Sequence, residues 1–374
     1  MSTIRIPIFK LPFLAQKAIF ENMNVDDIFH LSVLSMKTRH AISSANIQPI
    51  SVSIKRKRHE GSVEIELGTG PKLLWRFVRQ SDGIDGNAHF RELADQVQYD
   101  GLSNIDCVTN CNNWSSTMTT VLDELNYLFK IVSINVCDLT ITATTPGFHQ
   151  DPLIQHIDRC NYLSIQFDRQ HCPNLYPVDW LLQKIYVKEK LEVDNRDGGS
   201  ITYNAPFESK KIVLIGFHDW SSISVSFLIN VSQIHFLADN AIPVARMNLI
   251  LHGWKRGNLP KLVLIEYREG LNSGNQYMRA LLQGFDDMDW DRSREATFNK
   301  HCFHMAAGLV SMHRSMKFRE GRDIRRDDGI TATVIPCLSR ISNNDFVFTV
   351  WSGWMKPGLV GRPNGLEYHP RFDF

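Results

Sequence analysis

Residues 9–42 read FKLPFLAQKAIFENMNVDDIFHLSVLSMKTRHAI, and their apolar spacing predicts three short helices. Pro12 suits the first position of a helix, because the N–H that proline lacks would have no partner there. Ala15, Ile19 and Met23 recur every four residues and form an apolar stripe. This stretch therefore opens with a short amphipathic helix.

Two further helices are predicted directly after it. Asn24 can cap the second helix, along which Ile28, Leu31 and Leu34 recur every three residues. Ser35 can start the third helix. A segment of this size is too small to bury its own apolar face. We therefore expect the three helices to pack either on a partner protein or on the rest of the chain.

The order of residues in this stretch resembles an F-box. The resemblance is carried by Leu11-Pro12, Ile19, Asp27-Ile28, Leu31 and the run 32–35 followed by basic residues. F-boxes bind the Skp adaptor of cullin-based SCF ubiquitin ligases, so the resemblance implies that adaptor and, through it, a cullin. It assigns adaptor contacts to six residues: Leu11, Pro12, Leu14, Ile19, Ile28 and Leu31.

Two features leave the role of these helices open. Many F-boxes carry a tryptophan in the third helix, where this chain has Thr38 and Arg39. An ordinary N-terminal helical cap, packed on the domain behind it, also fits the apolar pattern. A cap would bury Ile19, Ile28 and Leu31 against residues beyond 48, whereas a docking element would leave several of them open to solvent.

Composition limits the classes of protein that remain. The chain has 374 residues, of which 43% are hydrophobic, so one or two domains with a sizeable core are expected. The formal net charge of +1 gives no long-range attraction to nucleic acid or to anionic membranes. No stretch approaches the roughly 18 apolar residues that a membrane span needs. We therefore expect neither nucleic acid nor a membrane as a partner.

Cysteine usage and the N-terminal sequence bear on localisation. The seven cysteines are scattered and odd in number, which is typical of reduced thiols in the cytosol or nucleus. Lys10 and Lys17 interrupt the N-terminal apolar run, which argues against a signal peptide. The expected localisation is cytoplasmic, nuclear or both.

Residues 48–79 alternate apolar and polar side chains and predict a strand meander. The runs 50–54 and 63–67 form the expected hairpin, and 73–77 a further strand. The segment 80–116 is rich in Asp, Asn, Gly and Ser and predicts loops, with one short helix near 90–94. A helix is expected from Met118 to Phe129.

A strand-and-helix rhythm follows to about residue 265. Short β-like runs start at Leu139, Leu163, Leu191, Ile212, Ile234 and Leu262, so that helix-compatible pieces such as 180–185 and 244–252 lie between them. A strand plus a helix every twenty-odd residues is typical of a leucine-rich-repeat-like solenoid. An ordinary α/β domain with strands at common spacing fits the same rhythm, and the full leucine-rich consensus is missing.

The later part of the chain resembles the F-box-associated region (type 2, F-box B-like) of the large nematode F-box family. The resemblance is carried by the runs 220–223, 231–236, 248–254, 258–265, 323–334 and 346–351. Within the run 323–334, Asp328-Gly329 is a two-residue turn signal between alternating runs and predicts a hairpin.

No pattern of catalytic residues stands out, and no cofactor is expected. Gly68-Thr-Gly-Pro-Lys72 lacks the spacing of a phosphate-binding loop and reads as a turn. Cys107 and Cys111 with His301 and His304 could supply four zinc ligands, but neither pair has a usual knuckle spacing, so no metal site is predicted.

The charge run Lys55-Arg-Lys-Arg-His59 has two interpretations. It could be a nuclear import signal or an anion-binding patch, and it could equally be a solvated turn between two strands, with nearby glutamates offsetting its charge. The second interpretation is favoured.

Taken together, the sequence predicts an α/β (α+β) fold in which a three-helix F-box precedes a leucine-rich-repeat-like strand/helix domain. The predicted domains are an F-box at 4–47, a strand-rich connecting region at 48–130 and an F-box-associated, repeat-like domain at 131–374. The predicted function is a non-catalytic substrate receptor of an SCF-type ubiquitin ligase with an unknown target protein. The alternative is a protein-binding module that works outside any ligase.

Overall fold

The computed structural model describes most of the chain and divides it into two compact units, Met1–Asp197 and Gly198–Phe374. The described residues are 8–57, 60–67, 72–84, 104–131, 134–141, 151–167, 178–194, 206–216, 224–238, 244–269, 276–286, 288–289, 296–298, 316–318, 321–336 and 346–350. The predicted domain boundaries at 47/48 and 130/131 stay predictions.

The first unit opens with a short 3₁₀ turn and three helices, as the apolar spacing predicts. They are Ile8–Lys10 (3₁₀), α1 (Phe13–Glu21), α2 (Val25–Leu34) and α3 (Met36–Ala45). Ser35 caps α3, because its Oγ accepts a hydrogen bond from the Thr38 backbone N–H at 3.1 Å. Asn24 occupies the cap position of α2 without a side-chain hydrogen bond.

A mixed sheet follows, with three further helices within the described ranges of this unit. Its elements are β1 (Ser51–Arg56), β2 (Glu60–Glu66), β3 (Lys72–Ile84), β4 (Asn104–Cys111), α4 (Trp114–Phe129), β5 (Ile134–Ile141), α5 (Pro152–His156), β6 (Arg159–Phe167), α6 (Val178–Lys184) and β7 (Tyr186–Asp194). The strand order is β7-β6-β5-β1-β2-β3-β4. The pairs β1–β2 and β2–β3 are antiparallel, whereas the others are parallel.

One face of this sheet forms the core of the first unit. Alternate residues of β1, β2 and β3 are buried, as the period of two requires. Helix α4 lies so close to β2 that a Cβ at Gly61 would stand 2.8 Å from the Trp114 ring and 2.7 Å from Met118 Sδ. Glycine at position 61 therefore permits the close approach of helix and sheet.

The second unit also contains a mixed sheet. Its elements are β8 (Lys211–Ile215), a 3₁₀ turn (Val225–Leu228), β9 (Gln233–Ala238), α7 (Val244–Lys255), β10 (Leu264–Glu269), α8 (Gln276–Leu281), β11 (Met288–Asp289), β12 (Ala296–Phe298), β13 (Met316–Phe318), β14 (Arg322–Arg325), β15 (Thr331–Pro336) and β16 (Phe346–Val350). The strand order is β11-β14-β15-β16-β10-β9-β8, and β12 pairs separately with β13. Strands β8, β9 and β10 are parallel to one another, and the rest of the sheet is antiparallel.

Most predicted elements are confirmed. The six β-like runs correspond to β5–β10, the meander to β1–β3, and the predicted helices at 118–129, 180–185 and 244–252 to α4, α6 and α7. The expectation of a mixed α/β fold behind N-terminal helices is therefore confirmed. The predicted helix near 90–94 and the histidines His301 and His304 lie outside the described residues.

Two local predictions are wrong. Residues 104–111 form β4 and not a loop, because their polar-rich sequence still pairs in parallel with β3 and buries Cys107, Thr109 and Cys111 on one face.

The hairpin between β14 and β15 exists, but its loop is longer than the two residues expected. The Gly329 N–H donates to the Arg326 carbonyl at 2.9 Å, and Gly329 has a φ of 92°, which glycine adopts without strain.

Candidate docking site on the N-terminal helices

The inner sides of α1–α3 belong to the core of the first unit. Phe20, Ile28, Phe29 and Ile42 are each at most 1% exposed. The Phe29 ring meets the Trp75 ring of β3 edge-on, with centroids 5.9 Å apart. It also meets the Phe129 ring of α4 edge-on at 6.2 Å. These edge-to-face aromatic contacts pack α2 against the sheet and against α4.

Polar contacts fasten α3 to α4 as well. The Arg39 guanidinium donates from Nε to Oε1 of Glu124 at 2.6 Å and from Nη2 to Oε2. The Ser43 hydroxyl donates to the Tyr127 carbonyl at 2.9 Å. Arg39 also lies over the Tyr127 ring, 4.4 Å from its centroid. A two-pronged arginine–carboxylate pair fixes orientation as well as distance, so α3 has a defined position on α4.

The outer sides of the same helices expose large apolar side chains. Leu14 is 77% exposed, Met36 71% and Leu34 69%, and Phe9 and Phe13 are also exposed. We refer to these five residues as the exposed apolar set. The Lys37 Nζ lies 5.5 Å from the Phe9 ring centroid, so the N-terminal 3₁₀ turn adjoins the start of α3. Five of the large apolar side chains that are exposed among the described residues lie within 9–36, and this concentration favours an interaction surface.

The six predicted adaptor-binding residues differ in exposure. Pro12 and Leu14 are exposed, whereas Leu11, Ile19 and Leu31 are half-buried. Leu11 is held in place through its carbonyl, which accepts a hydrogen bond from Gln16 Nε2 at 2.7 Å. Ile28 has no exposed area and lies in the interior of the first unit. Five of the six are therefore accessible at least in part, and Ile28 could support a docking surface only from beneath.

Sequence reasoning missed four members of the exposed apolar set: Phe9, Phe13, Leu34 and Met36. The spacing of three places Leu34 in one stripe with Ile28 and Leu31, but at the end of α2 its side chain is exposed to solvent. A signal in the sequence is the pair Leu34 and Met36 on either side of the Ser35 cap, where α2 ends and α3 begins.

Arg58 and His59 of the basic run at 55–59 lie outside the described residues, and among the others Arg56 departs from the favoured interpretation. Arg56 is 4% exposed, and its Nε and Nη2 both donate to Asp151 Oδ2, at 3.1 and 3.0 Å. Asp151 Oδ1 accepts from the Ser115 hydroxyl at 2.6 Å and from the Leu153 N–H at 3.0 Å. Arg56 therefore belongs to a buried network that joins β1, α4 and α5. Lys57 fits the solvated interpretation, since it is exposed and pairs with Glu60 at 2.7 Å.

The cysteines that the structure describes are buried thiols. Cys107 and Cys111 share the buried side of β4, and Cys137 and Cys160 are also buried. Burial raises the pKa of the Cys160 thiol to about 12 and that of Cys137 well above its usual value. These thiols are therefore protonated at neutral pH. Among the described residues, no group of three or more His, Cys, Asp or Glu side chains could hold a metal ion.

Each unit has a cavity of moderate size. The cavity in the first unit measures about 390 Å³ and has apolar walls, which include Val52, Ile54 and Leu122, beside a rim of His156, Asp158 and Arg159. The cavity in the second unit measures about 680 Å³ and is lined by Lys255, Phe285, Asp286 and the 325–329 turn. No helix within the described residues has the length and hydropathy to cross a membrane.

The N-terminal helices thus have one side embedded in the first unit and an opposite side that exposes apolar side chains. Comparison with known families identifies these helices, because residues 8–48 match the F-box domain. F-box domains typically bind Skp-type adaptors, and the domain suggests an SCF-type ubiquitin ligase as the context of this protein. Searches of curated proteins and of solved structures found no significant match to the chain.

Proposed function

We propose that the protein is the substrate-recognition subunit of an SCF-type ubiquitin ligase. In this proposal the F-box binds a Skp-type adaptor and, through it, a cullin, while the part of the chain beyond the F-box holds a target protein. The observation that carries the proposal is the exposed apolar set within a segment that matches the F-box domain.

The exposed apolar set would supply the binding energy for the adaptor. Fully burying one leucine or methionine side chain contributes about 1.5–3 kcal/mol. Leu14, Leu34 and Met36 are each more than two-thirds exposed, so most of that gain is still available to a partner. Pro12 and the half-buried Leu11, Ile19 and Leu31 would extend the contact.

The remainder of the proposal concerns the rest of the chain. We infer that residues 131–374 form a repeat-like, F-box-associated target-binding domain. Its support is the run of neighbouring parallel strands β5–β7 and β8–β10, most of them separated by a helix or a 3₁₀ turn. The chain itself would perform no covalent chemistry, since raising the local concentration of a target near the ubiquitin-charged enzyme is sufficient. Such a ligase subunit would work in the cytoplasm, the nucleus or both.

The test is capture of a purified Skp-type adaptor by the full-length chain. The variant combines Leu14→Asp with Leu34→Asp, which places two charges within the exposed apolar set. The matched control is Leu249→Asp, which alters an exposed leucine on α7 in the second unit. We expect the wild type and the control to bind the adaptor and the double variant to lose it, with circular dichroism confirming that all three are folded.

Two outcomes would contradict the proposal. The first is a folded wild-type chain that does not bind the adaptor at any accessible concentration. The second is equal capture by the wild type and the double variant, which would mean that the exposed apolar set is not the docking surface.

A second candidate function is supported by the buried side of the helices. Ile28, Phe29 and Ile42 are sealed in the interior of the first unit, as in a structural cap. A non-catalytic binding module outside any ligase would need only this side. It predicts a folded protein that captures neither adaptor nor cullin, so the same experiment separates the two functions.

A further inference from the structure

Glu124 lies on α4, well outside the residues that match the F-box domain, and yet it contacts the F-box directly. It is 7% exposed. Both of its carboxylate oxygens accept hydrogen bonds from the Arg39 guanidinium, at Nε and Nη2. A carboxylate of such low exposure is costly unless it is paired, so this pair is an obligatory part of the interface between α3 and α4.

Arg39 also contacts the exposed apolar set. Its Nη1 lies 4.0 Å from the Sδ of Met36, which is one of the most exposed members of the set. Its guanidinium also covers the Tyr127 ring. Arg39 therefore touches α4 on one side and the docking surface on the other.

The first turn of α3 also has hydrogen bonds of its own, and Thr38 within it is buried. Within that turn the Arg39 N–H donates to the Ser35 carbonyl at 3.0 Å and the Thr38 N–H to the Ser35 hydroxyl. Leu34, Ser35 and Met36 themselves are exposed. Among the described residues, the Arg39–Glu124 pair is the salt bridge that links this turn to α4.

We propose that Glu124 is a positioning residue for adaptor docking: through Arg39 it holds the start of α3, with Leu34 and Met36, in the arrangement that the adaptor binds. This inference rests on the proposed function. Its physical basis is pre-organisation, because a surface that is already ordered loses less conformational entropy when it binds. Glu124 itself does not contact the adaptor.

The experiment measures the affinity of full-length variants for a purified Skp-type adaptor by calorimetry. The variants are Glu124→Ala and Glu124→Gln. The matched control is Asp123→Asn, which alters the neighbouring, exposed carboxylate of α4 that pairs with His156. All affinities are measured at a temperature at which circular dichroism shows each variant to be folded.

We expect Glu124→Ala to bind about tenfold more weakly than the wild type, which corresponds to about 1.4 kcal/mol. Glu124→Gln should lose less, because its amide oxygen still accepts one hydrogen bond from Arg39. Asp123→Asn should bind like the wild type. Hydrogen exchange should be faster at the Thr38 and Arg39 amides in Glu124→Ala, which directly reports a loosened first turn of α3.

The outcomes distinguish a failure of the proposed function from a failure of the positioning role of Glu124 alone. Absence of binding by the wild type would overturn the proposed function and the positioning role together. Binding by the wild type with unchanged affinity in folded Glu124→Ala would overturn the positioning role alone, even if the variant melts at a lower temperature. If Glu124→Ala fails to fold, Glu124→Gln decides: an affinity equal to that of the wild type overturns the role, and a clear loss supports it.

Discussion

A variant at Ile28 tests whether the buried side of the F-box has a different role from its exposed side. The resemblance to F-boxes assigns Ile28 to the adaptor, whereas the structure gives it no exposed area. Ile28→Ala removes apolar carbon that, at about 0.8 kcal/mol per buried CH₂, contributes about 2.4 kcal/mol by transfer alone. The cavity left behind adds to this, so we expect a loss of about 2–5 kcal/mol in the free energy of unfolding.

The assay compares Ile28→Ala with Leu14→Ala by urea unfolding and by adaptor affinity. Leu14 is 77% exposed, so its truncation should change the free energy of unfolding by no more than about 0.5 kcal/mol. Its affinity for the adaptor should fall about 5- to 30-fold, which corresponds to about 1–2 kcal/mol of lost burial. Ile28→Ala should show the reverse pattern, provided that binding is measured where the variant is folded. Ile28→Val, at a cost of about 1 kcal/mol, gives a milder version.

A single result would refute this reasoning. If folded Ile28→Ala lost as much adaptor affinity as Leu14→Ala while its unfolding free energy changed by less than about 1 kcal/mol, Ile28 would be a contact residue. The F-box would then have to open on binding, and the burial of its inner side would describe only the free protein.

Three further predictions concern the first unit. Asp151→Ala removes the carboxylate that neutralises the buried Arg56, so the free energy of unfolding in urea should fall by about 3–5 kcal/mol. The control Asp158→Ala alters an exposed carboxylate and should lower the free energy of unfolding by at most about 0.5 kcal/mol. Equal, small losses in the two variants would show that the buried network is dispensable. Gly61→Ala should lower stability by about 1–3 kcal/mol, because its Cβ would meet the Trp114 ring, and an unchanged melting temperature would contradict the packing described. Burial raises the pKa of Asp138, although Lys55 and Ser164 oppose this, and Asp138 Oδ1 accepts no hydrogen bond from any described residue. Between the usual and the raised pKa of Asp138, the folded state therefore binds more protons than the unfolded state, and stability falls as pH rises through that window. Asp138→Asn should raise the melting temperature at pH 7 and leave it unchanged below the usual pKa. A lower melting temperature of the variant at pH 7 would contradict this.

Much of the fold follows from local sequence. The strands β5–β10 were predictable because each is a short apolar run bounded by turn residues, and Ser35 marks the start of α3 by its capping chemistry. Strand β4 was not predictable in this way. Its residues Asn104, Asp106 and Asn110 have weak strand preference, and it forms because β3 offers a pairing partner that no local pattern reveals.

The pairing of buried charged side chains is a second feature that local sequence does not reveal. Arg56 stands inside a basic run that reads as a solvated turn, yet it reaches the interior because Asp151, far along the chain, provides a carboxylate there. The pair Arg39 and Glu124 is similar, since 85 residues separate its members. Such pairs are set by tertiary structure, and only the fold shows which of many similar charged residues they involve.

The two sides of the F-box explain why its apolar pattern alone does not reveal its function. Helices of nine or ten residues that are apolar on more than one side give a stripe pattern that fits a cap and a docking element equally well. The structure shows that the alternatives need not exclude each other: Ile28 and Phe29 pack inward, while Leu14 and Leu34 face solvent. In the proposed function, a module built in this way would couple adaptor docking to the integrity of the first unit. A variant that disturbs α4 or β3 should then weaken adaptor capture without touching the exposed apolar set, and the Glu124 variants measure this coupling directly.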